Sequence, residues 1–316
     1  MAPAFAQAAD NQVVAIASRQ REKADACAAR HGIPRAHGSY EALLADPDVE
    51  AVYVPLPNHL HAEWTLRALD AGKHVLCDKP AALTFADASR MAEAARRAER
   101  RLMEGFMYRH HPQHARVAEI VGSGDIGEPV HFRGTFTFPA DARHRDTYRF
   151  RPDEGGGALF DVGVYPLNAA RLHFGAEPIA VVAGAAIDAA SGVDRHLVGV
   201  LEFDNGRTAT VEGGFDQTFT IRYEIAGAGG VVTTERAFQP GDAPVTLTIR
   251  KGDDVRTETV AGTNHYAREI EHFGACVRDP ARPLWPGEDG AAQARVAEAL
   301  RRSIAERRRV EVAEIA

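Results

Sequence analysis

This 316-residue sequence contains little that would direct the chain to a membrane or to an oxidising compartment. It has no run of about 18 apolar residues, which a membrane-spanning helix needs. The opening MAPAFAQAAD has neither a basic n-region nor an apolar run of signal-peptide length, so we expect a cytoplasmic protein without a membrane partner. The three cysteines, Cys27, Cys77 and Cys276, are too few and too scattered for a disulfide framework or a C-x-x-C zinc site.

Basic residues are outnumbered by acidic residues in this sequence. The 37 Lys and Arg residues against 44 Asp and Glu residues leave a formal net charge of -7, which would repel a nucleic-acid backbone. The local clusters RRAERR and ERRR lie in helical surroundings, where solvated helix faces are the simpler interpretation. We therefore expect no nucleic-acid partner and a small molecule as the ligand.

In the first half of the chain, short apolar runs alternate with helical segments. The pattern predicts strands at 13–17, 49–54, 74–77 and 102–107. Strands that are almost continuously apolar are typical of a parallel sheet covered on both faces. We predict an α/β, Rossmann-type, doubly wound domain over residues 1–108.

After Tyr108 the pattern changes to long segments of alternating polarity, such as VHFRGTFTF and HLVGVLEF. Helical spacing recurs at about 113–121, 163–174, 266–277 and 288–307. We predict an α+β domain over residues 109–316, with a large, mostly antiparallel sheet that serves substrate binding and oligomerisation. A homodimer formed through this broad sheet is the expected assembly.

The glycine-rich turn of a nucleotide-binding fold is missing. Such folds begin with a strand, a G-x-G-x-x-G turn and a helix whose N-terminus holds the pyrophosphate. Here the first apolar run is VVAIA, and no such turn precedes it. The fold could be of another type, but residues 2–9 resemble the helix that follows the turn. We expect in-frame codons upstream of Met1 to encode the first strand and the glycine loop.

Two segments contain residues suited to catalysis. In VLCDKP, Lys79 and Pro80 directly follow a parallel strand, at the end where open α/β sheets bind ligands, although a surface lysine is the alternative. In GGGALFDVGVY, Asp161 and Tyr165 lie four residues apart, and the glycines permit close approach of backbone or ligand. An acid and a phenol on one helix face suit hydroxyl recognition and proton transfer; the alternative is a capping Asp and a core Tyr.

Together these motifs make the chain resemble the glucose-fructose oxidoreductase/inositol dehydrogenase (Gfo/Idh/MocA) family. Within that family it is most similar to the NADP-dependent D-xylose dehydrogenases and the dimeric dihydrodiol dehydrogenases. The family's usual E-K-P is D-K-P here, so Asp78 keeps the charge with a shorter reach. The motifs that carry the resemblance, in order, are Ser18-Arg19, VYVPLPNHLHAEW, VLCDKP, LMEGFMYRHHP, GGGALFDVGVYPLN and NHYAREIEHF.

The resemblance implies an oxidoreductase that transfers a hydride between a sugar or cyclic diol carbon and NADP. Lys79 and Tyr165 would be the catalytic pair, with Asp161 orienting substrate hydroxyls. Tyr165 is the expected proton acceptor, because a neighbouring ammonium lowers the pKa of a phenol. The alternative is a non-catalytic NADP- or sugar-binding protein, which would need neither Lys79 nor Tyr165.

The resemblance also assigns the binding residues. Arg19 stands where NAD enzymes carry an acid, and a guanidinium suits a 2'-phosphate, so NADP is favoured over NAD. A satisfied helix-start histidine is the alternative for His61. The expected cofactor-binding residues are Ser18, Arg19, Pro57, Asn58, His61, Asp78 and Lys79. The expected substrate-binding residues are Glu104, Tyr108, Arg109 and Asp161.

Two further motifs carry little weight. His110 and His114 form an i, i+4 pair beside His111, but no H-E-x-x-H accompanies them, so we expect no metal. A His-dependent metalloenzyme remains a weaker alternative. The glycines at 227–230 lie between two strand-like runs, which favours a hairpin turn over a phosphate loop.

Overall fold

The computed structural model describes residues 2–316, and its first third contains short parallel strands separated by helices. β1 pairs in parallel with β2, and β3, β4 and β5 form a second parallel ladder, so the Rossmann-type sheet is present in two pieces. The strands are β1 (Ala15–Ala17), β2 (Arg35–His37), β3 (Ala51–Val54), β4 (His74–Asp78) and β5 (Leu102–Gly105). The helices are α1 (Ala2–Phe5), α2 (Arg21–His31), α3 (Tyr40–Leu44), α4 (His61–Asp70) and α5 (Phe85–Arg97).

Local sequence signals set the bounds of these helices. α2 ends at Gly32, which takes the left-handed conformation with φ 66° and donates its N–H to the Ala28 carbonyl. α5 begins after Thr84, whose hydroxyl accepts from the Asp87 N–H. β2 was not predicted, because three half-buried residues give no periodic signal.

The second part of the chain forms a nine-stranded sheet in the order β13-β12-β11-β10-β6-β9-β8-β7-β14. Only β6 and β9 pair in parallel, which confirms the mostly antiparallel prediction. The glycines at 227–230 form the hairpin between β10 and β11, also as predicted. The strands are β6 (Pro129–Thr137), β7 (Pro178–Ile187), β8 (Asp194–Phe203), β9 (Thr208–Gly214), β10 (Thr220–Gly227), β11 (Val231–Thr234), β12 (Val245–Lys251), β13 (Asp254–Val260) and β14 (Val310–Glu311).

Five helices accompany this sheet, and two of them return to the first one. α8 packs on β6 and α10 on β7, while α10 also packs on α5. Ala291 and Ala294 share a core with Val75, and Phe273 packs with Leu76, so the packing crosses the predicted boundary at residue 108. The helices are α6 (Pro112–Gly122), α7 (Ala142–Arg145), α8 (Val164–Phe174), α9 (His265–Arg278) and α10 (Gly287–Glu306). Across residues 2–316, no helix combines the length and apolar character required to cross a bilayer.

Candidate active site

The candidate site begins at the carboxyl end of β4. There Lys79 reaches across to residues of the second sheet's domain: its Nζ donates to the Asp161 carbonyl oxygen at 2.5 Å and lies 3.4 Å from Asp161 Oδ1. Both side chains are almost buried, at 11% and 6% exposed. The two segments that the sequence singled out are therefore in direct contact.

Asp161 lies in a π-helical turn, Leu159–Gly163, that precedes α8. The predicted helix is therefore extended and wider at its start, a feature common at functional sites. Arg149 Nε donates to Asp161 Oδ2 at 2.7 Å, and the Tyr148 hydroxyl donates to Oδ1 at 3.2 Å. Burial raises the pKa of Asp161, but Lys79 and Arg149 outweigh burial and hold it below its usual value. The carboxylate thus anchors two cations.

Arg149 and Tyr148 were not predicted from the sequence. They belong to the TYRFRP segment just ahead of the glycine triplet, which mixes basic and aromatic residues. That composition is the one signal that could have identified them, but it does not show which side chain turns inward.

Tyr165 presents its ring to the lysine. The Lys79 Nζ lies 5.1 Å from the ring centroid, and the Tyr165 hydroxyl lies 3.5 Å from Met107 Sδ. Burial raises the pKa of Tyr165 well above its usual value, and the nearby Asp78 and Asp161 carboxylates add to the rise. This direction is opposite to the lowered phenol pKa that the neighbouring ammonium led us to expect.

The glycine triplet allows close packing within the protein. Gly155 has φ 77°, and a Cβ there would lie 2.6 Å from Leu83 Cδ2. Its carbonyl accepts from Asn58 Nδ2 at 2.9 Å. Gly157 has φ 115°, and a Cβ there would lie 2.0 Å from Asp194 Oδ1. These glycines therefore serve backbone packing, and Asn58 is bound to the protein rather than free for a cofactor.

His61 is also occupied by contacts within the protein. Its Nδ1 lies 2.7 Å from the Pro80 carbonyl oxygen and its Nε2 lies 2.6 Å from that of Leu56, and the side chain is buried. The structure favours the helix-start alternative over direct cofactor binding. His61 joins the turn after β3 to the turn that carries Lys79.

Three of the expected substrate-binding residues, Glu104, Tyr108 and Arg109, are buried in a polar network. The Tyr108 hydroxyl donates to Asn168 Oδ1 at 2.6 Å, and Arg109 pairs with Asp289 at 2.7 Å. Glu104 Oε1 accepts from the Ala81 N–H at 2.8 Å. These contacts join β5, α8 and α10, so Glu104, Tyr108 and Arg109 support the site, and their role in substrate binding stays a prediction.

Glu269 of α9, which was not predicted, lies beside the predicted Asp78 at the ends of β4 and β5. Asp78 accepts from the Tyr53 hydroxyl at 3.1 Å and from the Lys79 N–H at 2.8 Å. Glu269 of α9 is 2% exposed, and its Oε1 has no hydrogen-bond partner. That oxygen would lie 3.5 Å from a Cβ on Gly105, the register neighbour of Asp78. Burial, with a smaller contribution from the Asp78 carboxylate, raises the pKa of Glu269 well above its usual value.

The residues present fit one end of NADP. Arg19 is exposed at the carboxyl end of β1, and within residues 2–316 it makes neither a hydrogen bond nor an ion pair. Ser18 beside it donates its N–H to the His37 carbonyl at 3.2 Å, which fixes the strand end. A free guanidinium in that place suits a 2'-phosphate.

The described residues offer no binding site for the pyrophosphate, which is the middle part of NADP. The described residues contain no glycine-rich turn that leads from a parallel strand into a helix at this sheet edge, so backbone amides for a pyrophosphate are missing. Instead, a cavity of about 590 Å³ lies between β1 and β3. The structure therefore fits the 2'-phosphate and the Lys79 region but offers no pyrophosphate cradle.

The histidine cluster is structural. His114 Nδ1 lies 2.9 Å from the Tyr223 hydroxyl, and its Nε2 lies 3.0 Å from the Ala237 carbonyl oxygen. His110 packs against Trp285 with ring centroids 5.4 Å apart. In the part of the chain that the structure describes, no group of three or more His, Cys, Asp or Glu side chains is placed to hold a metal.

Comparison with known proteins covers both parts of the chain. Residues 1–106 match the family of oxidoreductases with an NAD-binding Rossmann fold, and residues 114–233 match the GFO/IDH/MocA C-terminal domain. The D-xylose 1-dehydrogenase (NADP(+)) 2 of Haloferax volcanii is 40% identical over 297 residues, covering 93% of this chain and 90% of that protein.

Two solved structures are similar over almost the whole chain. KijD10, a 3-ketoreductase from Actinomadura kijaniata in complex with NADP and TDP-benzene, matches with a TM-score of 0.90 and 36% identity, covering 96% of this chain and 93% of that one. The aldose-aldose oxidoreductase of Caulobacter crescentus, complexed with glycerol, matches with a TM-score of 0.90 and 30% identity, covering 98% and 94%. This chain therefore belongs to the GFO/IDH/MocA oxidoreductase family, as the sequence motifs indicate.

Proposed function

We propose that this protein is an NADP-dependent oxidoreductase that interconverts a sugar or cyclic diol and the corresponding carbonyl compound. The observation that carries the proposal is the contact of Lys79 with Asp161 beside the phenol ring of Tyr165. A binding protein without turnover would need no such arrangement of a cation and a proton donor.

The relatives support this proposal. KijD10 has been crystallised with a lysine replaced by alanine or by glutamate, and with a tyrosine replaced by phenylalanine, each with TDP-benzene and NADP. The xylose dehydrogenase and the ketoreductase act in opposite directions on related chemistry. Both fit a site whose proton carrier works in either direction.

The residues of the chain handle the proton. When bound, the nicotinamide supplies or accepts the hydride. In the reduction, Tyr165 donates its phenolic proton to the carbonyl oxygen, because burial and nearby carboxylates keep that proton in place until a stronger base forms. Lys79, held by Asp161, stabilises the negative charge that then remains on the phenol or the alkoxide. In the oxidation the same proton moves back.

The cofactor and substrate contacts follow from this geometry. Arg19 and Ser18 would hold the 2'-phosphate, while Pro57, Asp78 and Lys79 would face the nicotinamide side. Asp161 would act on the substrate mainly through Lys79 and Arg149, because those cations and Tyr148 occupy its oxygens.

The test is NADPH oxidation with a panel of keto sugars, and NADP+ reduction with aldoses and cyclic diols. We expect turnover with at least one class, and we expect Lys79→Met and Tyr165→Phe each to lower kcat about 100-fold or more. Lys73→Met serves as the control. Lys73 lies away from the site, and its Nζ donates a hydrogen bond to the Asp46 carbonyl oxygen. Near-normal turnover in either site variant would overturn the assignment.

We also propose a cytoplasmic homodimer. All three cysteines are free, which fits a reducing compartment. The sheet face opposite α8 and α10 carries the small and apolar residues Val182, Gly184, Val198 and Val200, which are neighbours across β7 and β8. Val182 and Val198 are 40% and 42% exposed, so a second copy would bury apolar surface there.

A further inference from the structure

Arg149 is the one arginine of residues 141–154 that pairs with an acid inside the candidate site. Its partner is Asp161, which also holds Lys79, so one carboxylate joins two cations. The side chain of Arg149 is 28% exposed. The other arginines of this segment are 51% to 91% exposed and pair outside the site, with Asp141, Asp188 and Glu154. Arg149 is therefore directed differently from its neighbours in the chain.

The glycine triplet fixes the backbone of Arg149. The Gly157 N–H donates to the Arg149 carbonyl oxygen at 2.9 Å. A Cβ on Gly156 would lie 2.6 Å from the carbonyl oxygens of Tyr148 and Arg149, so only a glycine permits this close approach. The guanidinium carbon of Arg149 lies 5.0 Å from the centroid of the Tyr148 ring. Backbone, ring and carboxylate together hold the side chain in place.

Arg149 uses one of its three side-chain nitrogens within the described residues. Its Nε donates to Asp161 Oδ2, and its two terminal nitrogens have no partner in residues 2–316, although neither is sealed from solvent. Lys79 is in a similar state, because its Nζ has three N–H bonds and directs two of them at Asp161. Two neighbouring cations thus keep donors for a ligand in the cleft.

We propose that Arg149 binds the substrate oxygen on the carbon next to the reacting carbon. Lys79, beside the ring of Tyr165, would contact the reacting oxygen. Lys79 and Arg149 pair with the two oxygens of one carboxylate, so their free donors lie side by side, as oxygens on adjacent carbons do. The site therefore selects 1,2-diols and α-hydroxy carbonyl compounds over simple alcohols and ketones. This inference narrows the substrate class of the proposed function and rests on it.

The charges around Arg149 favour a neutral hydroxyl over an anionic group as its ligand. Asp161 contacts both cations, and Asp78 accepts from the Lys79 N–H at 2.8 Å. Two carboxylates thus accompany two cations. An anionic substituent would meet a carboxylate beside each cation, and like charges at close range oppose binding. A hydroxyl accepts a hydrogen bond from the guanidinium without this repulsion.

Two substrates that differ in one hydroxyl test the inference. With NADP+, we expect wild type to oxidise cyclohexane-1,2-diol with a kcat/KM at least about 100-fold above that for cyclohexanol, because a site that pairs a hydroxyl rejects the analogue without it. Arg149→Met should reduce that ratio to below about tenfold, mainly by raising KM for the diol. Arg151→Met is the matched control, since Arg151 pairs with Glu154 at 2.9 Å, and it should leave the ratio unchanged. If Arg149→Met lowers kcat/KM for both substrates by the same factor, Arg149 has only a structural role and the inference fails.

Binding without turnover separates this inference from the proposed function. By calorimetric titration we expect the diol to bind wild type at least about tenfold more tightly than cyclohexanol, and Arg149→Met to abolish the difference. Turnover of neither substrate, with the binding difference intact, would contradict the proposed function and support this inference. Equal binding of diol and alcohol to wild type would overturn the inference. Tighter binding of cyclohexanecarboxylate than of the diol, lost in Arg149→Met, would overturn the choice of a neutral ligand.

Discussion

Lys79 and Asp161 are 82 residues apart in the sequence, and their contact brings together the groups for which we propose a catalytic role. The motif around each residue indicates its chemistry. A lysine directly after a parallel strand is an unusual feature, and so is an aspartate followed four residues later by a tyrosine. The motif does not indicate the pKa of Tyr165. Burial raises the pKa of Tyr165, and carboxylates from β4 and the π-helical turn add to the rise.

Arg19 offers a test of cofactor choice at the residue scale. Arg19→Ala should weaken NADP binding by roughly 1.5 to 3 kcal/mol while leaving NAD binding nearly unchanged, because a charged hydrogen bond to the 2'-phosphate is lost. Nicotinamide fluorescence titration with both cofactors measures this. Arg21→Ala is the matched control, since Arg21 already pairs with Asp25 at 2.9 Å. Equal weakening of NADP and NAD would show that Arg19 does not read the phosphate.

Glu104 should make stability depend on pH. Burial raises its pKa to about 7, so the folded chain holds a proton that the unfolded chain releases from about pH 4.5 upward. The contribution of Glu104 is therefore present below pH 4.5 and is lost as pH rises to about 7. Relative to wild type, Glu104→Gln should gain on the order of 3 kcal/mol between those values. Urea unfolding at pH 5 and pH 8 measures the gain.

A second variant separates the effect of the buried Glu104 carboxyl on the free energy of unfolding from the effect of removing one negative charge. Glu119→Gln, on the surface beside Arg116, controls for the loss of one negative charge. A Glu104→Gln protein whose free energy of unfolding runs parallel to that of wild type across this range would mean that Glu104 is ionised in the folded state.

At the scale of elements, the π-helical turn depends on the glycine that precedes it. Gly157→Ala would place a Cβ 2.0 Å from Asp194 Oδ1, with φ at 115°. Asp194 Oδ2 accepts from the Leu159 N–H at 2.7 Å, so the clash would disturb the start of the turn that carries Asp161. We expect a loss of about 2 to 4 kcal/mol in the free energy of unfolding, together with a lower kcat.

The matched control separates backbone strain from the clash. Gly192 also has positive φ, at 81°, but a Cβ there would meet nothing within 4 Å. Gly192→Ala should therefore cost only about 1 to 2 kcal/mol and leave kcat unchanged. Chemical denaturation of both variants makes the comparison, and equal losses would refute the role given to Asp194.

At the scale of the whole molecule, the open sheet face predicts the assembly. Val198→Asp should convert a dimer to a monomer in sedimentation, because a charge would be buried in the shared face. Val130→Asp is the control: Val130 is 50% exposed but shares the strand face of Phe132, which packs toward Phe174 of α8. A wild-type monomer, or a dimer insensitive to Val198→Asp, would contradict the proposal.

The sequence by itself indicated most of the helices and strands and singled out the residues that we propose for the site. α2 ends at Gly32 and α5 begins after Thr84, because both residues act through neighbours in the chain. The alternation of polar and apolar residues along the strands predicted an antiparallel sheet, since side chains on successive residues face opposite sides. Lys79, Asp161 and Tyr165 were found because each stands in a short motif.

The tertiary structure decided what those residues and their neighbours do. Arg149 pairs with Asp161, Arg109 pairs with Asp289, and α9 and α10 return to cover the first sheet, all through contacts between distant segments. Burial and partners at long range set the pKa of Tyr165 and of Glu269, and no local pattern encodes them. Periodicity and turn residues act over a few positions of the chain, whereas desolvation and ion pairing depend on which segments meet in space.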